Sequence, residues 1–267
     1  MVRQPAVAGR FYPRDARDLS RMVDRLVEPV AEKVRAVGCV VPHAGYVYSG
    51  AVAGAVFSRL ELPARILILG PRHYPQGADL AINSQGTWRT PLGDVTIDSE
   101  LAQELKNATP LLQEDSIAHR DEHSLEVQLP LLQRLVREFR FVPIAVGPLR
   151  FEPLEELGRS AARVLAKQKE PALIVASSDF NHYESDAVTR VKDRKAIDRI
   201  LALDPRGLYD TVRREDISMC GYGPAVAMLT AARELGATHA ELVRYATSGD
   251  VSGDRDAVVG YAGIVLS

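Results

Sequence analysis

Short runs of β-branched residues, separated by stretches with helical periodicity, constrain the fold of this chain more than any other feature. Continuous apolar runs of this length are typical of strands buried on both faces, as in parallel sheets. The runs lie at 38–42, 65–70, 139–147, 172–178 and 241–249, and a further one ends the chain. Segments between them, such as 49–60, 153–168, 187–203 and 223–236, carry apolar residues at three- and four-residue spacing, which predicts helices. This alternation, without a long linker or an internal repeat, predicts one domain over residues 1–267. The predicted fold is an α/β/α sandwich with a mixed, largely parallel central sheet.

Local signals place several turns and helix ends. The segment TWRTPLGDVTID at 87–98 is typical of a hairpin whose turn contains Pro91 and Gly93. Asp98 precedes a helical stretch and is predicted to cap it. Pro130 lies within the helical pattern at 124–139, where it either kinks the helix or falls in its first turn.

Composition narrows the classes of partner. The formal net charge is −2 and the pI is near 6.3, without a block of Lys and Arg, so we expect no nucleic-acid partner. No apolar stretch approaches the roughly 20 residues that cross a bilayer, and the N-terminus lacks a basic segment followed by an apolar core. We therefore expect a cytoplasmic protein with no membrane partner. Cys39 and Cys220 are the two cysteines, and we expect both to be free thiols.

Histidine and aspartate residues follow several predicted strands, at the point where each strand ends. His43 follows the first run, His73 follows the run at 65–70, and Asp179 and His182 follow the run at 172–178. A single histidine after a strand is often no more than a hydrogen-bonded loop residue. In an open α/β sheet, however, ligands bind beyond the carboxyl ends of strands, where such residues converge. Three of the six histidines share this position, which favours a common site.

Cys220 adds a thiol to this set of candidates. It lies just before a predicted helix, where the positive end of the backbone dipole lowers a thiol pKa and favours a metal-binding thiolate. Taken alone, a buried apolar cysteine is the more common alternative, and we assign Cys39 to that class. A site with His43, His73 and Cys220 as ligands suits iron, copper or zinc. His182 then serves as an acid or base, with Asp179 orienting it.

Other candidates carry weaker signals. His123 lies at a predicted helix start, where a helix-terminal role explains it equally well. Tyr46 and Tyr48 either wall the pocket or simply pack against the fold. His119 and His239 are expected to be solvated surface residues. The chain has no P-loop, no G-x-G-x-x-G, no H-E-x-x-H and no G-x-S-x-G.

Six motifs, in this order along the chain, resemble the Memo family of proteins. They are PHAGYVYSG, ILGPRHY, TPLGDVTID, DEHSLEVQLPLL, VASSDFNHY and MCGYGP. The resemblance extends over essentially the whole chain. It implies a fold similar to class III extradiol dioxygenases, with His43, His73 and Cys220 as metal ligands. It also implies pocket roles for Asp179 and His182, with His123 nearby. The dioxygenases use a carboxylate as the third ligand, so Cys220 departs from their pattern.

Two functional hypotheses follow. The first is a non-haem iron- or copper-dependent oxidoreductase acting on a small molecule or on dioxygen, with zinc as a further candidate metal. The second is a non-catalytic module in which the same pocket binds a phosphorylated or anionic peptide. A vestigial enzyme fold with a structural role is a third reading. Assembly into a homo-oligomer is left open.

Overall fold

The Val- and Ile-rich runs form the centre of a twelve-stranded mixed sheet in the computed structural model, which describes residues 2–267. The strands are β1 (Val2–Arg3), β2 (Gly38–Val41), β3 (Arg65–Pro71), β4 (Leu80–Ile82), β5 (Thr87–Thr90), β6 (Gly93–Ile97), β7 (Gln113–Glu114), β8 (Arg140–Val146), β9 (Ala172–Ser177), β10 (His182–Glu184), β11 (Ala240–Thr247) and β12 (Val258–Leu266). Their main order is β1-β5-β6-β8-β3-β9-β2-β12-β10, with β11 beside β12 and β4 and β7 beside β8.

The four central strands β8, β3, β9 and β2 are parallel neighbours. Ile66 of β3 pairs with Leu173 of β9, and Val40 of β2 pairs with Ala176 of β9. The carboxyl ends of these strands therefore meet at one edge of the sheet. The last strand, β12, runs antiparallel to β2 and closes the parallel centre on that side.

Helices cover both faces of the sheet. They are α1 (Ala16–Leu26), α2 (Tyr46–Arg59), α3 (Ser99–Ala108), α4 (Ile117–Arg120), α5 (Leu129–Leu135), α6 (Phe151–Leu165), α7 (Asp186–Leu201), α8 (Pro205–Arg214), α9 (Tyr222–Glu234) and α10 (Gly249–Ser252). Side chains alternate across each strand: Cys39 and Val41 enter the core with α1, α2 and α5, whereas Val40 enters the core with α3 and α6 to α9. The predicted α/β/α sandwich is confirmed.

The local predictions hold at several positions. β5 and β6 form the antiparallel hairpin, and Asp98 caps α3 by accepting a hydrogen bond from the backbone of Leu101 at 3.2 Å. Pro130 lies in the first turn of α5, where its missing N–H leaves no helical hydrogen bond unmade. Cys39 is completely buried, as expected. Within residues 2–267, no helix combines the length and the apolar character needed to cross a bilayer.

The prediction for His119 was wrong, whereas His239 is exposed as expected. His119 is completely buried, and its ring lies against Trp88 with the centroids 5.7 Å apart. The short helix α4 carries no periodic pattern that would reveal which of its faces is buried. Burial, together with the nearby Arg3 guanidinium, lowers the pKa of His119 to about 4.

We expect His119 to make the protein less stable in acid. The unfolded chain binds a proton near the ordinary pKa of about 6.5, whereas the folded protein binds it only near pH 4, so stability falls as the pH drops through this window. The free energy of unfolding should therefore fall less in His119→Leu than in the parent when the pH is lowered from neutral to 4, by up to about 3 kcal/mol.

Urea unfolding of both proteins at the two pH values measures this difference. Exposed His239→Leu is the matched control and should keep the parental pH dependence. An equal pH dependence in the parent and His119→Leu would contradict the assignment.

Candidate metal and catalytic site

One cavity at the carboxyl edge of the parallel strands contains six of the candidate residues, namely His43, His73, His123, Asp179, His182 and Cys220. β2 leads into His43, β3 into His73 and β9 into Asp179. The cavity has a volume of about 610 Å³. Its walls are Phe11, His43, Ala44, Gly45, His73, His123, Asp179, His182, Tyr183, Ser218, Cys220 and Val259. The strand ends therefore converge as the sequence predicted.

A hydroxyl hub fixes the ring of His43. Nδ1 of His43 lies 2.9 Å from Ser177 Oγ, and this hydroxyl donates its own hydrogen to the carbonyl of Ser124 at 2.6 Å. Because the Ser177 hydrogen is already committed, Oγ must accept at Nδ1, and it also accepts from Gln128 Nε2 at 2.9 Å. His43 therefore carries its proton on Nδ1, which leaves a lone pair on Nε2 that faces the thiol of Cys220.

A buried carboxylate fixes the ring of His73 in the same way. Nδ1 of His73 donates to Glu122 Oε1 at 2.8 Å, and the backbone N–H of His73 donates to Oε2 at 2.6 Å. Burial alone would raise the pKa of Glu122, but the hydrogen bonds from the ring and the backbone of His73 hold this pKa well below its usual range. Nε2 of His73 is thereby left free, which is the arrangement found around histidine metal ligands.

His123 completes a cluster of three imidazoles. Its ring stacks on His73 with centroids 4.4 Å apart and lies 5.5 Å from the ring of His43. One nitrogen from each of the three rings lies within 4.8 Å of the others, so the group could hold a metal ion. Burial and the neighbouring His43 and His73 lower the pKa of His123 to about 3. This placement of His123 had no strong signal in the sequence, because His123 does not follow a strand.

Cys220 lies against His43. Its Sγ is 3.2 Å from Nε2 of His43 and 3.6 Å from the carbonyl of Asp179. The expected lowering of its thiol pKa is wrong: burial and the charge of Asp179 raise the pKa well above its usual range. The glycine at 221 lets the backbone beside Cys220 pack closely against β9, because a Cβ at this position would lie 2.3 Å from the carbonyl oxygen of Ser177.

Asp179 and His182 line the cavity on the side of β9. Asp179 Oδ1 accepts the backbone N–H of His43 at 2.7 Å, and burial raises the pKa of this carboxyl. His182 donates from Nδ1 to the carbonyl of Ser218 at 2.8 Å, since a carbonyl can only accept. Asp179 therefore orients the backbone of His43, and the expected contact with the ring of His182 is replaced by Ser218.

The aromatic residues that line the cavity are not Tyr46 and Tyr48, for which the sequence left open either a place in the pocket wall or packing against the fold. Tyr46 is buried and donates to the carbonyl of Val127 at 2.6 Å, so it packs beneath the site, and Tyr48 is outside the cavity lining. Phe11 forms a wall instead, with its ring 4.7 Å from that of His123. Tyr183 is 79% exposed and has a left-handed backbone with φ of 62°.

Comparisons with known proteins agree with this arrangement of motifs. The family model described as "Memo-like protein" matches residues 3–265. The chain belongs to the Memo-like family. A MEMO1 family protein of Methanosarcina mazei is 44% identical over 267 residues, covering 99% of both chains. A Memo-like relative from Methanopyrus kandleri is 43% identical over 280 residues, covering 100% of this chain and 99% of the relative.

A solved structure supports the fold of this Memo-like chain. It is the uncharacterized protein JW3007 from Escherichia coli K12, which matches with a TM-score of 0.55. The match covers 86% of this chain and 100% of that chain at 13% sequence identity. At this identity the likeness concerns the fold alone.

We expect Tyr183→Gly to be more stable than Tyr183→Ala. Both substitutions remove the same exposed ring, but only glycine adopts the left-handed backbone without a steric penalty, which is worth about 1 kcal/mol here. The unfolding free energies of the two variants in urea measure the difference. Equal stabilities, or a more stable alanine variant, would show that the backbone at 183 is unstrained.

Proposed function

We propose that this cavity binds one redox-active metal ion, iron or copper, and that the protein is a metal-dependent oxidoreductase acting on a small molecule or dioxygen. The observation that carries the proposal is that Nε2 of both His43 and His73 carries a lone pair, with the Nε2 of His43 facing the thiol of Cys220 at 3.2 Å. Each ring has its Nδ1 committed to a buried acceptor, which is how proteins prepare histidines for a metal. The same proposal treats residues 1–267 as one Memo-like domain, supported by the continuous sheet.

Two residues, Cys220 and His123, are candidates for the third metal ligand. Two donors on one tetrahedral ion, with bonds of roughly 2.0 and 2.3 Å, lie about 3.5 Å apart, and Cys220 Sγ lies 3.2 Å from His43 Nε2. His123 has a ring nitrogen within 4.8 Å of donor nitrogens on both other rings, a group that does not include Cys220. Its Nδ1, however, is 3.7 Å from Glu122 Oε1, too far for an orienting hydrogen bond. We therefore propose His43, His73 and Cys220 as ligands. Metal binding would replace the thiol proton of Cys220.

The surrounding residues suit redox chemistry at an open coordination position. A bound iron or copper ion would supply electron transfer and polarise a bound substrate. His182 has its Nδ1 hydrogen bonded to Ser218, so its Nε2 is the nitrogen able to accept or deliver a proton in the cavity. Phe11 shields the imidazole cluster from water on one side. In this proposal His182 is the acid–base residue, and Asp179 orients the backbone of His43.

The alternative function, binding of a phosphorylated or anionic peptide, receives less support from the electrostatics. An anion site would need cationic imidazoles, whereas burial lowers the pKa of both His43 and His123. At neutral pH these two rings are uncharged. They are better suited to donate lone pairs to a metal than to attract phosphate.

Metal analysis of ligand variants tests the proposal. Protein purified without a chelator or an affinity tag is loaded anaerobically with iron(II) or copper, desalted and measured by elemental mass spectrometry. We expect near-stoichiometric metal in the parent and in His123→Ala, and little metal in His43→Ala, His73→Ala and Cys220→Ala, because each of these loses a donor. Exposed His239→Ala is the matched control.

The outcomes separate the hypotheses. Loss of metal in His123→Ala, together with retention of metal in Cys220→Ala, would show that the third ligand is His123 and not Cys220. A parent that takes up neither metal would overturn the enzyme proposal and leave the peptide-binding function as the better candidate.

Glu122→Gln should weaken the site without removing a ligand. The neutral amide accepts the Nδ1 proton of His73 less strongly than the carboxylate, so the ring becomes a poorer donor, and metal affinity should fall about 10- to 100-fold. Competition with a chromophoric chelator measures the dissociation constant. Asp121→Asn, at the exposed neighbouring position, should leave it unchanged. Unchanged affinity in Glu122→Gln would mean that Glu122 does not support a ligand.

A further inference from the structure

Asp193, Asn181 and Ser218 form a path of hydrogen bonds behind His182, which begins at the buried side chains of Asp193 and Asn181 and ends at the exposed residue Ser218. We propose that this path fixes His182 with Nδ1 towards Ser218 and Nε2 available to the cavity. The inference rests on the proposed function for the acid–base role of His182. The path itself lies outside the metal ligands and starts on α7, the helix that follows the loop of Asp179 and His182.

Ser218 holds His182 at two points. Its hydroxyl oxygen accepts the backbone N–H of His182 at 2.7 Å, and its carbonyl accepts Nδ1–H of the imidazole at 2.8 Å. The first contact fixes the main chain and the second fixes the ring and its tautomer. Two contacts to one residue leave the imidazole little freedom to rotate. The position of Ser218 therefore sets the position of His182.

Asn181 in turn holds Ser218. The side-chain oxygen of Asn181 faces Ser218 and accepts from its backbone N–H at 3.2 Å and from its hydroxyl at 3.1 Å. The amide nitrogen of Asn181 donates to Glu184 at 2.7 Å and to Thr189 at 3.2 Å. Because the donors and acceptors of this buried side chain are all used, Asn181 can adopt few other orientations.

Asp193 anchors the far end of the path. Its completely buried carboxylate accepts the backbone N–H of Asn181 at 2.8 Å through Oδ1 and the hydroxyl of Tyr245 at 2.7 Å through Oδ2. Gly260 of β12 allows this approach, since a Cβ there would lie 1.7 Å from Oδ2. The backbone of Asn181 also pairs with Gly260, which donates to its carbonyl at 2.9 Å. Asp193 thus ties the loop to both α7 and the sheet.

Removing the carboxylate should release the loop. In Asp193→Ala the buried N–H of Asn181 loses its acceptor, and an unpaired buried donor favours any conformation in which it reaches water. In Asp193→Asn the side-chain oxygen can still accept from Asn181, while the Tyr245 hydroxyl can rotate to accept from the new amide. The conservative variant should therefore rescue the position of His182. A residue needed only for overall stability would not distinguish these variants in this way.

The ring nitrogens of His182, observed by nitrogen-15 NMR in metal-free protein, test the inference, with resonances assigned from His182→Phe. We expect a single tautomer protonated at Nδ1 in the parent. Asp193→Asn and the control Tyr245→Phe, which removes the other hydrogen bond to the same carboxylate, should retain it. Asp193→Ala should show averaging between the two tautomers. If Asp193→Ala does not fold, Ser218→Ala, which lacks the hydroxyl that links Asn181 to His182, should show the same averaging.

A single Nδ1–H tautomer in folded Asp193→Ala, or equal averaging in Tyr245→Phe, would overturn the positioning role. Metal affinity for iron(II) and copper, measured in parallel, should be unchanged in every Asp193 variant, since none of them alters a ligand. A parent that binds neither metal would overturn the proposed enzyme while leaving the NMR result readable. The two failures are therefore distinguishable.

Discussion

Parallel pairing of β2, β9 and β3 is the constraint on which the cavity depends. In a parallel sheet neighbouring strands end on the same side, so the residues that follow them become neighbours in space although they are far apart in sequence. His43 and Asp179 are brought close enough for a hydrogen bond of 2.7 Å between backbone and side chain. The register between β2 and β9 sets this contact.

The cavity also requires that buried polar groups be satisfied before any ligand arrives. Ser177 receives two hydrogen bonds and donates one, and Glu122 accepts from both the ring and the backbone of His73. These bonds offset the cost of burying a hydroxyl and a carboxylate. They also leave a lone pair on Nε2 of each ring, and in His43 this nitrogen contacts the thiol of Cys220. The hydrogen bonds that satisfy the buried groups at the floor of the cavity are thus also the bonds that orient the rings of His43 and His73.

The site residues that could be predicted from the sequence are those that follow a buried strand. Residues that reach the cavity from other parts of the chain were missed. Val40 and its neighbours predicted β2, so the position of His43 after a buried strand could be recognised. Phe11 was not identified, because it belongs to an N-terminal segment without periodicity that reaches the cavity only through tertiary contacts. Glu122 was not identified as the partner of His73, because the two residues are 49 positions apart and no local pattern links them. His119 was placed on the surface, because a helix of four residues has no hydrophobic pattern from which burial can be inferred.

The α/β alternation, the family and the candidate metal ligands could be inferred from the residues alone, because apolar periodicity and donor chemistry are local properties of residues. Only the folded chain shows which nitrogen of each imidazole is protonated, how close Cys220 lies to His43, and that burial raises rather than lowers the pKa of the Cys220 thiol. Those properties depend on acceptors and apolar neighbours contributed by distant segments such as Ser124, Gln128 and Ser218. Chain folding alone brings such segments together, so no local pattern around a histidine or cysteine records them.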